Sequence, residues 1–220
     1  MTGQTQEFLQ QLKQLPANTG AALVIPVGNP VVAYLRPVYT GAGAIDKDDV
    51  ICLTTWRNRF VTAFLNEFEA TERQTVHWLG NTVATDSTRV LFMCDDLHGR
   101  TFGYMGLAYI DWELSYGEAD AIVRGEDAPK KGIMGEALLT LLRWAHGQLG
   151  LQHLGVRVRS DNPALGFYFH LGFEEVRRVP LKRVVHSGRV EWCEQLDVQN
   201  ASAYLVHMRI AIDRLVPNRG

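Results

Sequence analysis

The sequence predicts an α/β fold in which a mixed β-sheet carries helices on its faces. Several strand-like segments follow one another in the middle of the chain, and strand, helix, strand, helix and strand segments then alternate. The helix-like segment after Met134 places leucine and alanine at spacings of three and four, so one side of it is expected to pack on the sheet. Both patterns are typical of a single layered domain.

The charge and hydrophobicity of the sequence limit the kinds of partner that the protein can bind. The 220 residues carry 22 basic and 24 acidic side chains, a net charge of -2, so no overall basic field attracts nucleic acid or an anionic membrane. The N-terminus lacks the apolar run of a signal peptide, and no segment is long enough to span a bilayer. We therefore expect a soluble, cytoplasmic protein that recognises its partner through a local site.

Cysteine usage argues against a metal or disulfide framework. Cys52, Cys94 and Cys193 are odd in number and far apart, and no CxxC or HExxH motif occurs. We therefore expect neither a metal cofactor nor a disulfide. P-loop and GxSxG motifs are also absent, which excludes those two classes of site.

The predicted elements divide the chain into an N-terminal helical extension, residues 1–30, and one main domain, residues 31–215. A helical region, 46–65, that breaks near Trp56-Arg57-Asn58 is expected in the first half of the main domain, followed by a second helix, 69–79, capped by Thr71. The expected strands are 31–38, 89–96, 102–112, 118–125, 153–160, 173–185, 189–196 and 203–212, and the other expected helices are the segment from Met134 and 162–172.

The stretch "KKGIMGEALLTLLRWA" (130–145) begins its helix with charge and glycine instead of a capping side chain. A helix start has unpaired N–H groups and the positive end of the helix dipole, so it favours an anion. A phosphate between these N–H groups and Lys130 and Lys131 explains the cations, and Gly132 lets the backbone come close to it. The alternative is a solvated lysine pair beside a turn glycine.

Two motifs in the second half of the chain, "PKKGIMGEAL" (129–138) and "SDNPALGFYFHLGFEEV" (160–176), together resemble the GNAT superfamily of N-acetyltransferases. The segment "SDNPALGFYFHLGFEEV" (160–176) resembles the family's asparagine, tyrosine-bearing helix and Leu-Gly-Phe sequence. The segment "PKKGIMGEAL" (129–138) resembles its pyrophosphate loop in the ribosomal-protein and amino-sugar N-acetyltransferases, although Pro129 and Met134 depart from that pattern. The matching positions are Asn162, Ala164, Tyr168, Leu171, Gly172 and Phe173, and Gly132, Glu136, Ala137 and Leu138.

The resemblance implies a mostly antiparallel, twisted sheet with helices on both faces and a central strand pair that splays apart. It also implies acetyl-CoA as cosubstrate, with its pantetheine arm along strand 119–124 where this separates from strand 154–159. A backbone N–H near Ile122 or Val123 would polarise the thioester carbonyl. The residues implied to bind the cofactor are Ile122, Val123, Arg124, Lys130, Lys131, Gly132, Ile133, Met134, Gly135, Asn162 and Tyr168.

The same resemblance implies that Tyr168 protonates the leaving thiolate. For the base that deprotonates the amine, Glu118 is the first candidate, and Asp120 and His170 are alternatives. On a regular strand, Asp120 shares a face with Ile122 and Arg124. The candidate substrate-binding residues are Trp56, Arg57, Asn58 and Asp111; for the first three, a helix break held by Arg57 hydrogen bonds is the alternative.

The acceptor implied by the resemblance is a small-molecule primary amine, foremost an amino sugar, including one linked to a nucleotide. Protein N-termini, aminoglycosides and polyamines remain alternatives, as does a non-catalytic acyl-CoA-binding module. The long arm 179–202 is expected to cap the acceptor site or to form a homodimer contact. The basic residues expected to meet a nucleotide diphosphate there are Arg177, Arg178, Lys182 and Arg183, and a solvated basic strand is the alternative.

Overall fold

The computed structural model describes residues 2–14, 23–41, 43–197 and 200–216. Its helices are α1 (Thr2–Gln14), α2 (Lys47–Arg59), α3 (Glu72–His77), α4 (Ile133–Leu149), α5 (Ala164–His170) and α6 (Ile212–Leu215). Its strands are β1 (Ile25–Val27), β2 (Ala33–Pro37), β3 (Asn66–Glu67), β4 (Val90–Asp96), β5 (Thr101–Asp111), β6 (Tyr116–Arg124), β7 (His153–Arg159), β8 (Glu174–His186), β9 (Arg189–Glu194) and β10 (Ala203–Ile210).

These strands form one sheet in the order β1-β2-β4-β5-β6-β7-β10-β8-β9-β3. Neighbouring strands are antiparallel except β6 and β7, which are parallel because α4 crosses over between them. The β6–β7 pairing extends from Tyr116 opposite His153 to Ala119 opposite Val156 and then stops. This confirms the mixed sheet with a splayed central pair, and it opens a cleft between the C-terminal parts of β6 and β7.

A hydrophobic core lies on each face of the sheet. On one face, α4 buries Leu138 and Leu141 completely, in the same cluster as Val156 of β7. On the other face, Leu53 of α2 and Leu79, after α3, pack in a second cluster with residues of β4 and β5. Helices on both faces are therefore confirmed, and the faces can be named the α4 side and the α2 side.

Helix α2 ends close to the predicted break. Asp46 caps it by accepting hydrogen bonds from two backbone N–H groups of the first turn, at 2.7 and 3.1 Å. The helix ends at Arg59, one residue after the break predicted near Trp56-Arg57-Asn58, and a short 3-10 helix, Val61–Ala63, follows. Trp56 is 3% exposed and stacks on Tyr104 of β5 with ring centroids 6.2 Å apart, so burial holds this turn helical.

The N-terminal segment is built into the same core and sheet. Leu9 of α1 belongs to the α4-side cluster, and Lys13 is also fully buried. The Nζ of Lys13 donates to the carbonyl oxygens of Val83 and Asp86, at 2.9 and 2.6 Å. Strand β1 lies within the predicted extension and pairs with β2 at the edge of the sheet.

Candidate active site

A β-bulge in β6 lies where this strand leaves β7. The register with β5 shifts between Asp120 and Val123, and Ala121 between them has a φ of 52°. Ala119 and Ile122 pack in the α4-side cluster, whereas Ala121 and Val123 pack in the α2-side cluster. The prediction that Asp120 shares a face with Ile122 and Arg124 is wrong, because the extra residue of the bulge reverses the alternation.

The first turn of α4 presents bare backbone. Gly132, at the cap position, has a φ of 83°, in the left-handed region that favours glycine, and no side chain caps the turn. A Cβ added to Gly132 would have no atom within 4 Å, so the space in front of the helix start is open. The positive end of the helix dipole and the N–H groups of this turn therefore face an accessible site.

The two lysines of the loop differ in their surroundings. The Nζ of Lys130 lies 2.7 Å from Oε2 of Glu136, inside the first turns of α4. Lys131 is exposed and forms no ion pair with any residue that the structure describes. Lys131 is thus the uncompensated cation beside the helix start.

The neighbours of α4 place its start between the ends of the two splayed strands. Met134 lies beside Gly103, which pairs with Arg124 at the end of β6, and Ile133 is buried in the α4-side core. An added Cβ on Gly135 would lie 2.8 Å from Leu171, just after α5, so glycine permits close packing of α4 on this segment. The start of α4 therefore closes one end of the cleft.

Tyr168 of α5 is buried against Phe167 and Phe173, with ring centroids 5.3 and 5.7 Å from its own. It is 6% exposed, and its hydroxyl has no hydrogen-bond partner among the described residues. Burial, reinforced by the negative charge of Asp120, raises the pKa of Tyr168 well above 10. Tyr168 therefore carries its proton at neutral pH and can donate it.

Asn162 stabilises the beginning of α5. Its Oδ1 accepts from the N–H of Ala164 at 2.9 Å, and its Nδ2 donates to the carbonyl of Ala63 at 3.2 Å. The side chain thus links α5 to the segment after α2. These contacts favour a structural role for the side chain of Asn162.

The candidate bases occupy different environments. Glu118 is 6% exposed, and both of its oxygens accept hydrogen bonds, from the Tyr116 hydroxyl at 2.6 Å and from Nε of Arg157 at 2.5 Å. Asp120 lies at the point of separation, with Oδ2 3.0 Å from Nη1 of Arg89. His170 is exposed at the end of α5.

The structure does not bring Asp111 to the cleft. Its Oδ1 accepts from the N–H groups of Glu113 and Leu114, at 3.0 and 2.9 Å, and so closes the turn between β5 and β6. Asp111 pairs with Tyr116 at the start of β6, which is roughly 13 Å along the strand from Asp120.

The three residues at the end of α2 hold the surrounding loops. Trp56 donates from Nε1 to Glu126 at 3.1 Å, and its ring fills the space in front of Gly125. Arg57 donates to the carbonyls of Asn66 and Phe68. Asn58 exchanges two hydrogen bonds of 2.8 Å with the backbone of Ala70. These contacts favour the alternative in which Arg57 hydrogen bonds are structural.

The hairpin β8–β9 covers the α2 side of the splayed strands. Strand β9 pairs with β3, in the segment that follows α2, and Nε1 of Trp192 donates to Glu67 at 2.6 Å. Arg159, at the end of β7, donates to Glu67 at 3.0 Å and to the carbonyl of Thr62 at 2.7 Å, and its guanidinium lies 4.6 Å from the Trp192 ring centroid. Arg159 therefore fastens this cover to the edge of the cleft.

Sequence reasoning missed the arginines of β7. Arg157 and Arg159 alternate with Val156 and Val158, whose side chains pack on the α4 side. Charged residues that alternate with valine indicate a central strand with one polar face. That pattern in "GVRVRS" was the available signal for a polar face beside the cleft.

Comparisons with known proteins agree with this architecture. A family model described as an acetyltransferase (GNAT) domain matches residues 35–174, well over half of the chain, so the protein belongs to the GNAT acetyltransferase family. It is an N-acetyltransferase, and acetyl-CoA is its cosubstrate. This finding favours the enzyme over the non-catalytic module.

Similar solved structures include spermidine N-acetyltransferases of Vibrio cholerae. A chimera of that enzyme and hSSAT is 16% identical, with a TM-score of 0.62, and the alignment covers 84% of this chain and 99% of the other. The Vibrio cholerae enzyme in complex with CoA and spermine is 17% identical, with a TM-score of 0.59 and coverage of 83% and 97%. At such identities the likeness shows the fold alone. No curated protein gives a significant match.

The described residues were also compared with the requirements of a membrane-spanning helix and of a metal site. No helix among them is long and apolar enough to cross a membrane. No group of three or more histidine, cysteine, aspartate or glutamate side chains among them is arranged to hold a metal ion.

Proposed function

We propose that the acceptor is the primary amine of an amino sugar, including one linked to a phosphate or nucleotide, acetylated by direct transfer in a ternary complex. The observation that carries this proposal is the charge balance around the cleft. Three carboxylates there are each paired with an arginine: Glu118 with Arg157, Asp120 with Arg89, and Glu67 with Arg159. Because each of these carboxylates is neutralised by an arginine, the site attracts a polycation only weakly. This favours an acceptor with one amine.

The proposed cofactor site combines the start of α4 with the bulge. The N–H groups near Gly132, with Lys131, are suited to the pyrophosphate of acetyl-CoA. The pantetheine arm would lie in the cleft along β6, where a bulge leaves backbone N–H groups outside the regular ladder. An N–H near Ile122 or Val123 would then donate to the thioester oxygen as negative charge develops on it.

In the proposed reaction, the amine nitrogen attacks the thioester carbonyl carbon and the carbon–sulfur bond breaks. The amine must be unprotonated before attack, because its lone pair forms the new bond. Tyr168 would donate its hydroxyl proton to the departing thiolate. Holding amine and thioester in contact supplies a large part of the rate, because the thioester is already activated.

Between the candidate bases, the geometry supports Asp120 over Glu118. Both oxygens of Glu118 accept hydrogen bonds, whereas Asp120 has one oxygen that accepts no hydrogen bond from any described residue. Asp120 also lies at the separation of the strands, where amine and thioester would meet. We therefore propose Asp120 as the proton acceptor and Glu118 as the residue that fixes Arg157.

A polyamine is the second candidate acceptor. The similar solved structures include a spermidine N-acetyltransferase that binds spermine, and this favours a polyamine on grounds of fold. A bound polyamine needs several uncompensated carboxylates, because each ammonium group must be paired or hydrated. The arginine partners of Glu118, Asp120 and Glu67 are the physical argument against it.

The test is thiol release from acetyl-CoA with a panel of acceptors: glucosamine 1-phosphate, a uridine diphosphate amino sugar, glucosamine, spermidine, kanamycin and a peptide with a free N-terminus. Wild-type protein without an acceptor serves as the control for background hydrolysis. We expect the highest kcat/KM with a phosphorylated amino sugar. A higher kcat/KM with spermidine would replace the proposal by the polyamine alternative.

A further inference from the structure

A row of charged side chains crosses four strands on the α2 side of the sheet. Arg157 of β7 lies directly opposite His207 of β10, and His207 lies directly opposite Arg177 of β8. Residues paired in this way share a face and lie within contact distance. Glu118 of β6 extends the row through its ion pair with Arg157.

A cavity of about 360 Å³ opens beside this row. Its lining residues belong to strands β6, β8 and β10. Its lining combines two arginines, a histidine and a tyrosine with two apolar residues, and it contains no carboxylate. The lining residues are Tyr116, Val176, Arg177, His207, Met208 and Arg209.

The cations of this cavity lack partners. Arg177 and Arg209 are exposed, and neither forms an ion pair with any described residue. Arg157, by contrast, is neutralised by Glu118, with Glu194 at 3.8 Å. The guanidinium of Arg209 lies over the Tyr116 ring, 5.7 Å from its centroid, which orients it in the cavity.

His207 contributes an unsatisfied polar atom. Its Nε2 is buried and has no hydrogen-bond partner among the residues that the structure describes. A buried polar atom without a partner is unfavourable, so such an atom indicates a missing ligand or solvent group. Burial lowers the pKa of His207; Glu194 and Glu118 raise it, and Arg157 and Arg177 lower it further.

We propose that this cavity binds a phosphoryl group carried by the acceptor, with Arg177, Arg209 and Nε2 of His207 as donors to its oxygens. Guanidinium groups match phosphate geometry and form charge-assisted hydrogen bonds with it. The neutral imidazole supplies one further N–H donor when Nε2 carries its proton. The assignment of the phosphoryl group to the acceptor rests on the proposed function, whereas the anion site itself stands on the cavity.

The geometry of the sheet fits one extended acceptor. With strand spacings of roughly 4.8 Å, β10 and β8 lie about 10 and 14 Å to the side of the paired part of β6, which ends one residue before Asp120. An amino sugar whose amine lies at Asp120 would direct a phosphate or diphosphate on its far side over Arg209 and Arg177. The cavity therefore acts as a specificity site for acceptors that are anionic at the end opposite the amine.

The arm contributes fewer cations to this site than its sequence suggests. Arg178 follows Arg177 on β8 and so points to the other face, where it forms two hydrogen bonds with Glu175, at 3.0 and 2.8 Å. Lys182 shares the face of Arg178, and Arg183 lies six residues beyond Arg177, close to the hairpin turn. Of the four basic residues, only Arg177 lines the cavity.

The first experiment measures pyrophosphate binding by isothermal titration calorimetry to protein saturated with CoA, so that the cofactor site is already filled. We compare the wild type with the double variant Arg177→Ala and Arg209→Ala. The matched control is Lys182→Ala with Arg183→Ala, which removes the same charge from exposed residues without polar contacts among the described residues. We expect the first pair to weaken binding about tenfold or more and the control pair to leave it unchanged.

A second readout follows His207 by NMR in the same CoA-saturated protein. Bound pyrophosphate favours the charged imidazole, so the pKa of His207 should rise when it is added. Absence of pyrophosphate binding, equal losses in both double variants, or an unchanged His207 titration would overturn the anion site. None of these results depends on acetyl transfer, so they remain separate from failure of the proposed function.

A kinetic comparison decides where the phosphoryl group comes from. The double variant Arg177→Ala with Arg209→Ala should raise KM for glucosamine 1-phosphate about tenfold and leave KM for glucosamine unchanged. If pyrophosphate binds but KM for both acceptors is unaffected, the cavity holds a free phosphate anion, and the assignment to the acceptor is wrong.

Discussion

The Nε of Arg157 donates to Oε2 of Glu118 at 2.5 Å, between two strands that separate one residue later. This ion pair joins β6 to β7 at the base of the cleft and leaves Asp120 as the first carboxylate inside it. The two neighbouring carboxylates of β6 therefore differ in their surroundings: Glu118 holds the strands together, and we propose that Asp120 faces the reactants.

The roles of Asp120 and Glu118 can be separated by neutral variants. Asp120→Asn should lower kcat about 10² to 10⁴-fold, because the amine loses its proton acceptor, with little change in acetyl-CoA affinity. Glu118→Gln should instead lower the free energy of unfolding by about 1 to 3 kcal/mol, because Arg157 loses its buried partner. Steady-state kinetics and urea denaturation measure the two effects. A larger kcat loss for folded Glu118→Gln would return the role of base to Glu118.

Tyr168→Phe should lower kcat while acetyl-CoA affinity is retained, because the ring contacts with Phe167 and Phe173 remain and only the proton donor is lost. Since the pKa of Tyr168 is raised above 10, the wild type keeps this donor up to pH 10. The pH profile of kcat should show no loss from Tyr168 ionisation below that pH. Tyr34→Phe, on β2, is the control. If the chemical step limits the rate and Tyr168→Phe has the same kcat as the wild type, Tyr168 is not the proton donor.

Gly132→Asp should abolish CoA binding, because it places a negative side chain at the helix start where the pyrophosphate is expected. Gly150→Asp is a matched control at the other end of α4. Gly150 also has a positive φ, of 72°, and an added Cβ there would also have no atom within 4 Å. Calorimetric titration with CoA compares the two folded variants, and similar affinities would contradict the proposed loop.

Arg159→Met should raise the acceptor KM more than that of acetyl-CoA, because it frees the hairpin cover from β7 and from the segment after α2. The apolar stem of methionine retains part of the packing on Trp192. Arg178→Met is the control, because Arg178 lies on strand β8 of the same hairpin but on the opposite face of the sheet. Parallel increases of both KM values would indicate a general loss of structure.

Lys13 should make stability depend on pH in the alkaline range. Burial lowers its pKa from 10.5 to about 8. The negative charge of Asp86 opposes this shift, and the positive charge of Arg89 adds to it. Between these values the unfolded chain binds a proton that the folded protein does not, so the free energy of unfolding should rise from about pH 8 to 10.5. Urea denaturation at several pH values tests this. The rise should be absent in Lys13→Met, and an equal rise in that variant would exclude Lys13 as its cause.

The sequence by itself determined the class of protein. The order of strands and helices, the apolar face of α4, the Thr71 cap, and the two motifs around Gly132 and Tyr168 indicated the fold and family that the structure and comparisons confirm. Each of these depends on local spacing or on residues close in the chain, and such patterns are visible in one dimension.

Tertiary structure decided which side chains share the cleft. A bulge at Ala121 reverses the side-chain alternation of β6, and no spacing rule forecasts where a strand takes an extra residue. The burial of Trp56 keeps the last turn of α2 helical, so this helix ends at Arg59, one residue after the predicted break, since packing outweighs local propensity. Arg157, His207 and Arg177 meet only because β7, β10 and β8 are neighbours in the sheet, although 50 residues separate the first two. The spatial order of the strands in the sheet depends on the free energy of the whole core, so it cannot be read from local patterns in a single sequence.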